Sequence, residues 1–364
     1  MNRYISFLAV LILCFLICDI SQAVVPYTVT DLGTLGGTES YAFGINDSGQ
    51  VVGYASITGD ATYHAFCYTG STMIDLGTLG GTNSIAYGIN ASGQVVGWAN
   101  TTAGASHAFS YSGSIMTDLG TLGGTDSQAL GINDSGQVVG WAITTNGASH
   151  AFSYSGSIMI DLGTLGGRTD SYARGVNTSG QVVGSSYSAI ITNDHAFLYS
   201  GSTMTDLGTL GGQISFGNGI NDSGQVVGDS QNASRSYRAF LYSGSTMTDL
   251  GTLGGDSSQA ESINASGQVV GYSNTAHNDM HAFLYSGSTL YDLNTLINPL
   301  SGWTLVDAEG INAVGQIVGQ GYNGSQYHAF LLTPVPEPST CILLCSALLG
   351  FGWVVSVRRR MAKK

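Results

Sequence analysis

The residues with the most chemistry in them stand in front of a repeated glycine. A Gly-Ile-Asn tripeptide recurs seven times, with Val176 and Ser262 as its only departures, and the residue before it reads Phe43, Tyr87, Leu130, Arg174, Asn218, Glu261 and Glu309. Neighbouring positions hardly change and only 9% of the chain is charged, so one arginine and two glutamates in this series stand out. Arg174, Glu261 and Glu309 are candidates to bind a polar ligand; a wall that meets only water is the plainer alternative. Glycoside hydrolysis needs two carboxyls about 5–10 Å apart, and Glu261 and Glu309 are the one pair that the series offers. No nucleophile is readable beside a histidine, so no catalytic residue is assigned. A second series, His-Ala-Phe, begins at His64, His107, His150, His195, His281 and His328, with Arg238 in the remaining place.

The elements that must position these residues repeat as a unit. Asp-Leu-Gly-Thr-Leu-Gly-Gly starts at Asp31, Asp75, Asp118, Asp161, Asp206 and Asp249, with a worn copy at Asp292, in steps of 44, 43, 43, 45, 43 and 43 residues. A fixed period of this size marks stacked or radial supersecondary units. Each period holds four short pieces rich in Val, Ile, Phe, Tyr and Ala; in the first unit they are 40–46, 50–55, 64–68 and 72–76. Gly, Asn, Asp and Ser bound them, which is the pattern of strands and turns. Asn46-Asp47-Ser48-Gly49 and its relatives suit a tight turn, since Asn and Asp bond their own backbone and Gly takes positive φ. They lack the alternating carboxylates and closing Glu of a calcium loop.

The count of pieces fixes the architecture. The Gly-Ile-Asn and His-Ala-Phe pieces each occur seven times, the fourth piece follows His-Ala-Phe only six times, and an extra copy stands alone at 27–32. The orphan completes the last unit. The expected fold is therefore all-β: a seven-bladed β-propeller of four-stranded blades closed by the N-terminal strand, with Gly-Ile-Asn innermost. An open β-solenoid, the alternative, has no use for the orphan. Equivalent histidines on neighbouring sheets would lie about 10 Å apart, whereas metal ligands lie about 2 Å from a shared ion. The histidines are expected to bond the backbone at strand ends, and no metal or cofactor is assigned. His277, Asp279 and His281 on one loop are a weak metal candidate.

The two ends read as sorting signals. Arg3, the apolar run 4–18 and Ser21-Gln22-Ala23 form a secretory signal with signal peptidase cutting after Ala23. At the other end Pro336-Glu337-Pro338 precedes an apolar run over 341–357 and then Arg358, Arg359 and Arg360. That run is just long enough to cross a bilayer, and the basic cluster places its end in the cytoplasm. The order of parts resembles the PEP-CTERM sorting tail of Gram-negative bacteria. The resemblance implies that Pro336, Glu337 and Pro338 are read by an exosortase-type processing enzyme, and that the helix with Arg358, Arg359 and Arg360 is a temporary membrane anchor. The expected organisation is a signal helix over 1–23, a repeat body over 24–333, and a tail with a transmembrane helix over 334–364.

The repeated His-Ala-Phe resembles the bacterial HAF repeat, which implies an extracellular location and no particular activity. The body holds 21 Asp and Glu against four Arg and no Lys, so nucleic acid is excluded as a partner. It keeps one cysteine, Cys67, and so no internal disulfide. The loops between Gln-Val-Val-Gly and His-Ala-Phe vary in length and are rich in Ser, Thr, Asn and Gly, a composition suited to hydrogen-bonding glycans. Tyr63, Tyr187 and Tyr237 in these loops, and Trp303 in the lengthened crossing after Asp292, are candidate sugar-stacking rings on one face of the ring. The expected role is an exported structural or binding module without enzymatic activity. The resemblance to sorted surface proteins implies association with exopolysaccharide or matrix glycans. A polysaccharide hydrolase or lyase is the alternative.

Overall fold

Each period folds as one antiparallel sheet, because its four apolar pieces are joined by turns too short for anything else. The computed structural model describes residues 27–167, 170–187 and 193–335. The signal and transmembrane helices, Ala23, Pro336, Glu337, Pro338 and Arg358–360 lie outside the described residues. Within them the strands form seven four-stranded sheets, six built from consecutive strands. The seventh joins Tyr27–Asp31 to the last three strands, with Tyr27 opposite Pro334 and Asp31 opposite Phe330. This is the seven-bladed propeller expected from the displaced copy. The one helical element among the described residues is a 3-10 turn at Leu293–Thr295. Blades 1 to 6 begin at Gly36, Gly80, Gly123, Ser171, Gly211 and Gly254, and blade 7 at Thr304.

The conserved signature of the repeat has a mechanical reading. The seven His-Ala-Phe phenylalanines are fully buried. They pack between blades against the valines of Gln-Val-Val-Gly and the leucine of Asp-Leu-Gly, as Phe66 does with Leu32, Val51 and Val318. In Asp-Leu-Gly, the Asp75 carboxylate accepts from Gly77 N–H at 2.7 Å, and the glycine takes φ +72°, where a side chain would be strained. Thr78 closes the next turn by donating to the Gly81 carbonyl. The glycine of Gln-Val-Val-Gly answers a different demand. A β-bulge lies between Ala42 and Gly44 in the first blade and at the same place in all others. It pushes the chain inward, so that a methyl group on Gly53 would sit 1.9 Å from the Tyr41 carbonyl oxygen.

The histidines differ from expectation. Their Nδ1 atoms meet aspartate side chains rather than the backbone: His64–Asp75, His107–Asp118, His150–Asp161, His195–Asp206, His281–Asp292 and His328–Asp31, all at 2.7–2.8 Å. The register explains it. Phe66 pairs with Asp75, so His64, two residues away on the same face, reaches back over the shorter fourth strand. Asp31, the partner that closes the ring, is held below the usual carboxylate range. Burial alone would raise it, but hydrogen bonds from Gly33 N–H, Asn323 and His328 outweigh that.

Closure should be measurable. Tyr27 and Leu32 are buried at 7% and 5% exposure, and their loss removes about 1.5–3 kcal/mol each. Deleting residues 27–32 should therefore lower unfolding stability by about 3–6 kcal/mol and expose a sheet edge. Chemical denaturation checks this; an unchanged midpoint would mean that the strand does not close the ring.

Candidate functional site

Two columns besides the Gly-Ile-Asn column vary from blade to blade while their neighbours stay fixed. The bulge makes the three adjacent. The residue two before the Gly-Ile-Asn column pairs in register with the residue after Gln-Val-Val-Gly, as Tyr41 does with Tyr54 and Phe216 with Asp229. The seven triplets are Tyr41-Phe43-Tyr54, Ile85-Tyr87-Trp98, Gln128-Leu130-Trp141, Tyr172-Arg174-Ser185, Phe216-Asn218-Asp229, Gln259-Glu261-Tyr272 and Asp307-Glu309-Gln320. Between them the serines, alanines and glycines of the framework repeat. The triplets surround one mouth of the central channel, on the face that carries the variable loops and the Asp-Leu-Gly crossings.

Blades 1 and 2 make an aromatic arc. Phe43 stacks on Tyr41 at 4.6 Å between ring centroids and leans on Tyr87 at 4.8 Å. Tyr63 joins it from its loop, 5.3 Å from Tyr54 and 6.4 Å from Trp98. Such pairs fix the rings in place.

Blades 5 to 7 make a carboxyl arc. Tyr41 reaches across the closing interface, its Oη 2.7 Å from both Asp307 Oδ2 and Glu309 Oε1. A phenol has one proton, so both contacts are hydrogen bonds only if one carboxyl is protonated and donates in turn. The electrostatics agree. Burial, then Asp307, then Glu261 push the Glu309 carboxyl well above its usual range. Burial, followed by Asp307, raises Glu261, and burial raises Asp307. Asp229 is pushed up to about 7 by burial, in spite of Arg174 nearby. Glu261 and Glu309 line the channel with Phe43 and Asn218 around a space of about 200 Å³. Farther in, the isoleucines of the repeat and Val176 ring the passage.

A separate cavity of about 360 Å³ opens between blades 5 and 6 and is lined by Arg174, Phe216, Asn218, Asp229, Tyr237 and Tyr272, among others. Of the residues singled out in the sequence, Arg174 and Tyr237 meet here, Glu261 and Glu309 meet in the channel, and Tyr63 belongs to the aromatic arc. Tyr187 ends its strand opposite Asp194 and lines neither space. Trp303 turns its edge to Phe330 at 6.3 Å and lies against Gly321, so it packs beneath blade 7. Sequence reasoning missed Tyr41, Asp229, Tyr272 and Asp307. Their signal was available as variation inside an otherwise constant strand, but the register that brings the columns together was not. His277 and Asp279 gather no third ligand, and His281 is taken by Asp292; among the described residues no group of three or more His, Cys, Asp or Glu is arranged to hold a metal.

The raised carboxyls set a pH dependence. The native state keeps protons that the unfolded chain releases at the ordinary carboxyl pKa near 4, so this contribution to stability is full below that pH and is lost as pH rises through the native values, about 7 for Asp229 and above the ordinary range for Glu261 and Glu309. At about 1.4 kcal/mol per pKa unit, Asp229 alone accounts for on the order of 4 kcal/mol. The melting temperature should fall between pH 5 and 8.5, and less steeply in a Glu309→Gln, Asp229→Asn variant. A curve that rises over this range in wild type would contradict the assignment. The lowered carboxyls, Asp31, Asp126 and Asp206, act in the opposite sense, below the ordinary range.

No curated protein matches the sequence. Residues 334–360 match the PEP-CTERM protein-sorting motif, which implies export, sorting to the surface and processing by an exosortase. Among solved structures, the chain is similar to a puromycin hydrolase mutant complexed with PGG, at 10% identity over 84% of this chain and 55% of that one, with a TM-score of 0.52. A puromycin-hydrolyzing peptidase of Mycobacterium tuberculosis is similar at 9% identity over 79% and 53%, with a TM-score of 0.51. TolB from Acinetobacter baumannii is similar at 12% identity over 84% and 65%, with a TM-score of 0.45. The chain thus spans 53% to 65% of these proteins' own lengths. At such identities the likeness is one of fold: this is an exported propeller, with its sorting signal at the C-terminus.

Proposed function

We propose that the protein is a non-enzymatic binding module of the cell surface or extracellular matrix, which holds a polar polymer of the exopolysaccharide kind across the loop face of its ring. The observation that carries this reading is where the repeats diverge. Of the columns at which the seven similar blades differ, three meet at one channel mouth. There they place an aromatic arc beside an arc of carboxyl, amide and phenol groups. A sugar needs both, since its C–H face stacks on rings and its hydroxyls donate and accept hydrogen bonds. The resemblance to the HAF repeat and the sorting tail agree with a site of action outside the cell. Repetition around the ring suits a repeating ligand, because several weak contacts add as avidity.

A hydrolase or lyase would draw on the same carboxyls, and Glu309, whose carboxyl is pushed up by burial and by Asp307, has the character of a general acid. It is engaged with Tyr41, however, and the isoleucines of the repeat ring the channel just beyond. Binding fits this arrangement better than cleavage does.

Replacing Tyr63, Tyr54 and Trp98 with Ala should weaken retention of the exported protein on its producer's extracellular polysaccharide at least tenfold, with circular dichroism unchanged. Retention that survives these changes but is lost on altering the Asn-Asp-Ser-Gly turns would put the binding face on the wrong side. Independently, mass spectrometry of the exported protein should find no peptide beyond 336–340; recovery of Lys364 on the surface-exposed form would make the tail a permanent anchor.

A further inference from the structure

The cavity between blades 5 and 6 has a chemistry of its own. Its one cation is Arg174, which extends from blade 4 as an exposed side chain. In a body with 21 acidic residues and four arginines, this guanidinium forms no hydrogen bond or ion pair among the described residues. Asp229 and Glu261 are near enough to feel its charge, yet neither comes within the 4.0 Å of an ion pair. An arginine so placed normally folds onto a carboxylate. The neighbouring carboxyls are turned away from it. Asp229 is 4% exposed and lies beside the Asn218 amide, which favours its charged form. Asn218 donates to the Ala260 carbonyl at 2.9 Å, which pins it. Gln259, whose Oε1 accepts from Tyr272 Oη at 2.7 Å, lies beside Glu261 and favours its charged form.

What remains open to the cavity is a planar fork of donors beside the rings of Phe216, Tyr237 and Tyr272. A guanidinium meets a carboxylate through two parallel hydrogen bonds, a geometry that a hydroxyl cannot supply. The rings offer apolar faces to a flat ligand, and about 360 Å³ is within the range of small-molecule sites.

We infer that this cavity is a subsite for a carboxylate-bearing sugar, a uronate unit of the polymer, whose carboxylate is received by Arg174 while its ring lies against Tyr237, Tyr272 and Phe216. The inference rests on the glycan reading above and sharpens it: the aromatic arc supplies general grip, and this cavity supplies selection for an acidic unit. Selection is needed because the acidic body as a whole repels anions, so a uronate is admitted only where a cation is free.

The test is a matched comparison. The exported protein is titrated by calorimetry with glucuronate and galacturonate, and with glucose and galactose, which differ from them only at the oxidised carbon. At least one uronate should bind ten or more times tighter than its neutral partner. Arg174→Gln should abolish that preference, and Arg174→Lys, which keeps the charge but loses the fork, should restore less than half of the lost binding energy. Arg174 is exposed, so neither change should disturb folding, which thermal melting checks. Equal binding of the neutral and acidic partners, a preference that survives Arg174→Gln, or no binding of either uronate would overturn the inference. Retention of whole polysaccharide, measured on the unaltered protein and on the aromatic variants, tells the two readings apart: retention by an unaltered protein that shows no uronate preference sinks the subsite alone, and retention lost in the aromatic variants only, with uronate preference intact, upholds both.

Discussion

A closed circle of asparagines sets the size of this molecule. In each blade the Gly-Ile-Asn asparagine uses its Oδ1 to hold its own turn, as Asn46 does by accepting from Ser48 and Gln50 N–H. Its Nδ2 then donates to the backbone carbonyl of the next blade's asparagine. The chain of donors runs Asn46, Asn90, Asn133, Asn177, Asn221, Asn264, Asn312 and back to Asn46, at 2.9–3.3 Å throughout. All seven side chains are buried. A buried amide left without partners costs about 1–3 kcal/mol per group, so a ring of another size would leave these groups strained or orphaned. Side-chain bonds between blades reinforce the circle farther out, where Ser84 Oγ accepts from Ala65 N–H of the preceding blade and donates to the Gly77 carbonyl.

This circle lies on one face, and the variation lies on the other. The division follows from physics. Residues that hold neighbouring blades must match around the ring, because each blade is both donor and acceptor. Residues past the bulge, toward the opposite mouth, are released from that demand. Phe43, Arg174, Asn218 and Glu309 are outside the circle of asparagines and differ from blade to blade, and so the mouth can hold an aromatic arc, a guanidinium and a buried pair of acids side by side. The cost is borne locally. Tyr41, Asp307 and Glu309 tie two blades together at the interface that also closes the chain.

Much of this was legible in the sequence. The period, the seven copies and the single displaced strand were enough to state a closed seven-bladed ring, because a count is insensitive to where strand ends fall. The Gly-Ile-Asn column was found because Arg174, Glu261 and Glu309 broke a run of neutral residues. Tyr41, Asp229 and Asp307 escaped because their significance depends on a bulge, and a one-residue shift in pairing leaves no mark in a pattern of apolar and polar residues. The partners of the histidines escaped for a related reason: eleven residues separate His64 from Asp75, and only the register of the third and fourth strands brings them together. Trp303 was readable as a large ring in a long loop, but whether a ring faces solvent or a neighbouring phenylalanine is decided by packing.

The pairing of Tyr27 with Pro334 has a consequence for the order in which the protein is made. The first strand to leave the ribosome is among the last to find its place, since its partner is the final strand before the sorting tail. Six blades can form one after another, but the seventh waits for both ends. For a chain threaded through a membrane from its N-terminal side, the ring can close only once the last repeat has emerged, just ahead of the sorting tail. Until then blade 1 presents an uncovered face and the first strand an unpaired edge. The completion of the fold is thereby timed to the arrival of the tail, and both termini leave the finished body from neighbouring strands of a single blade.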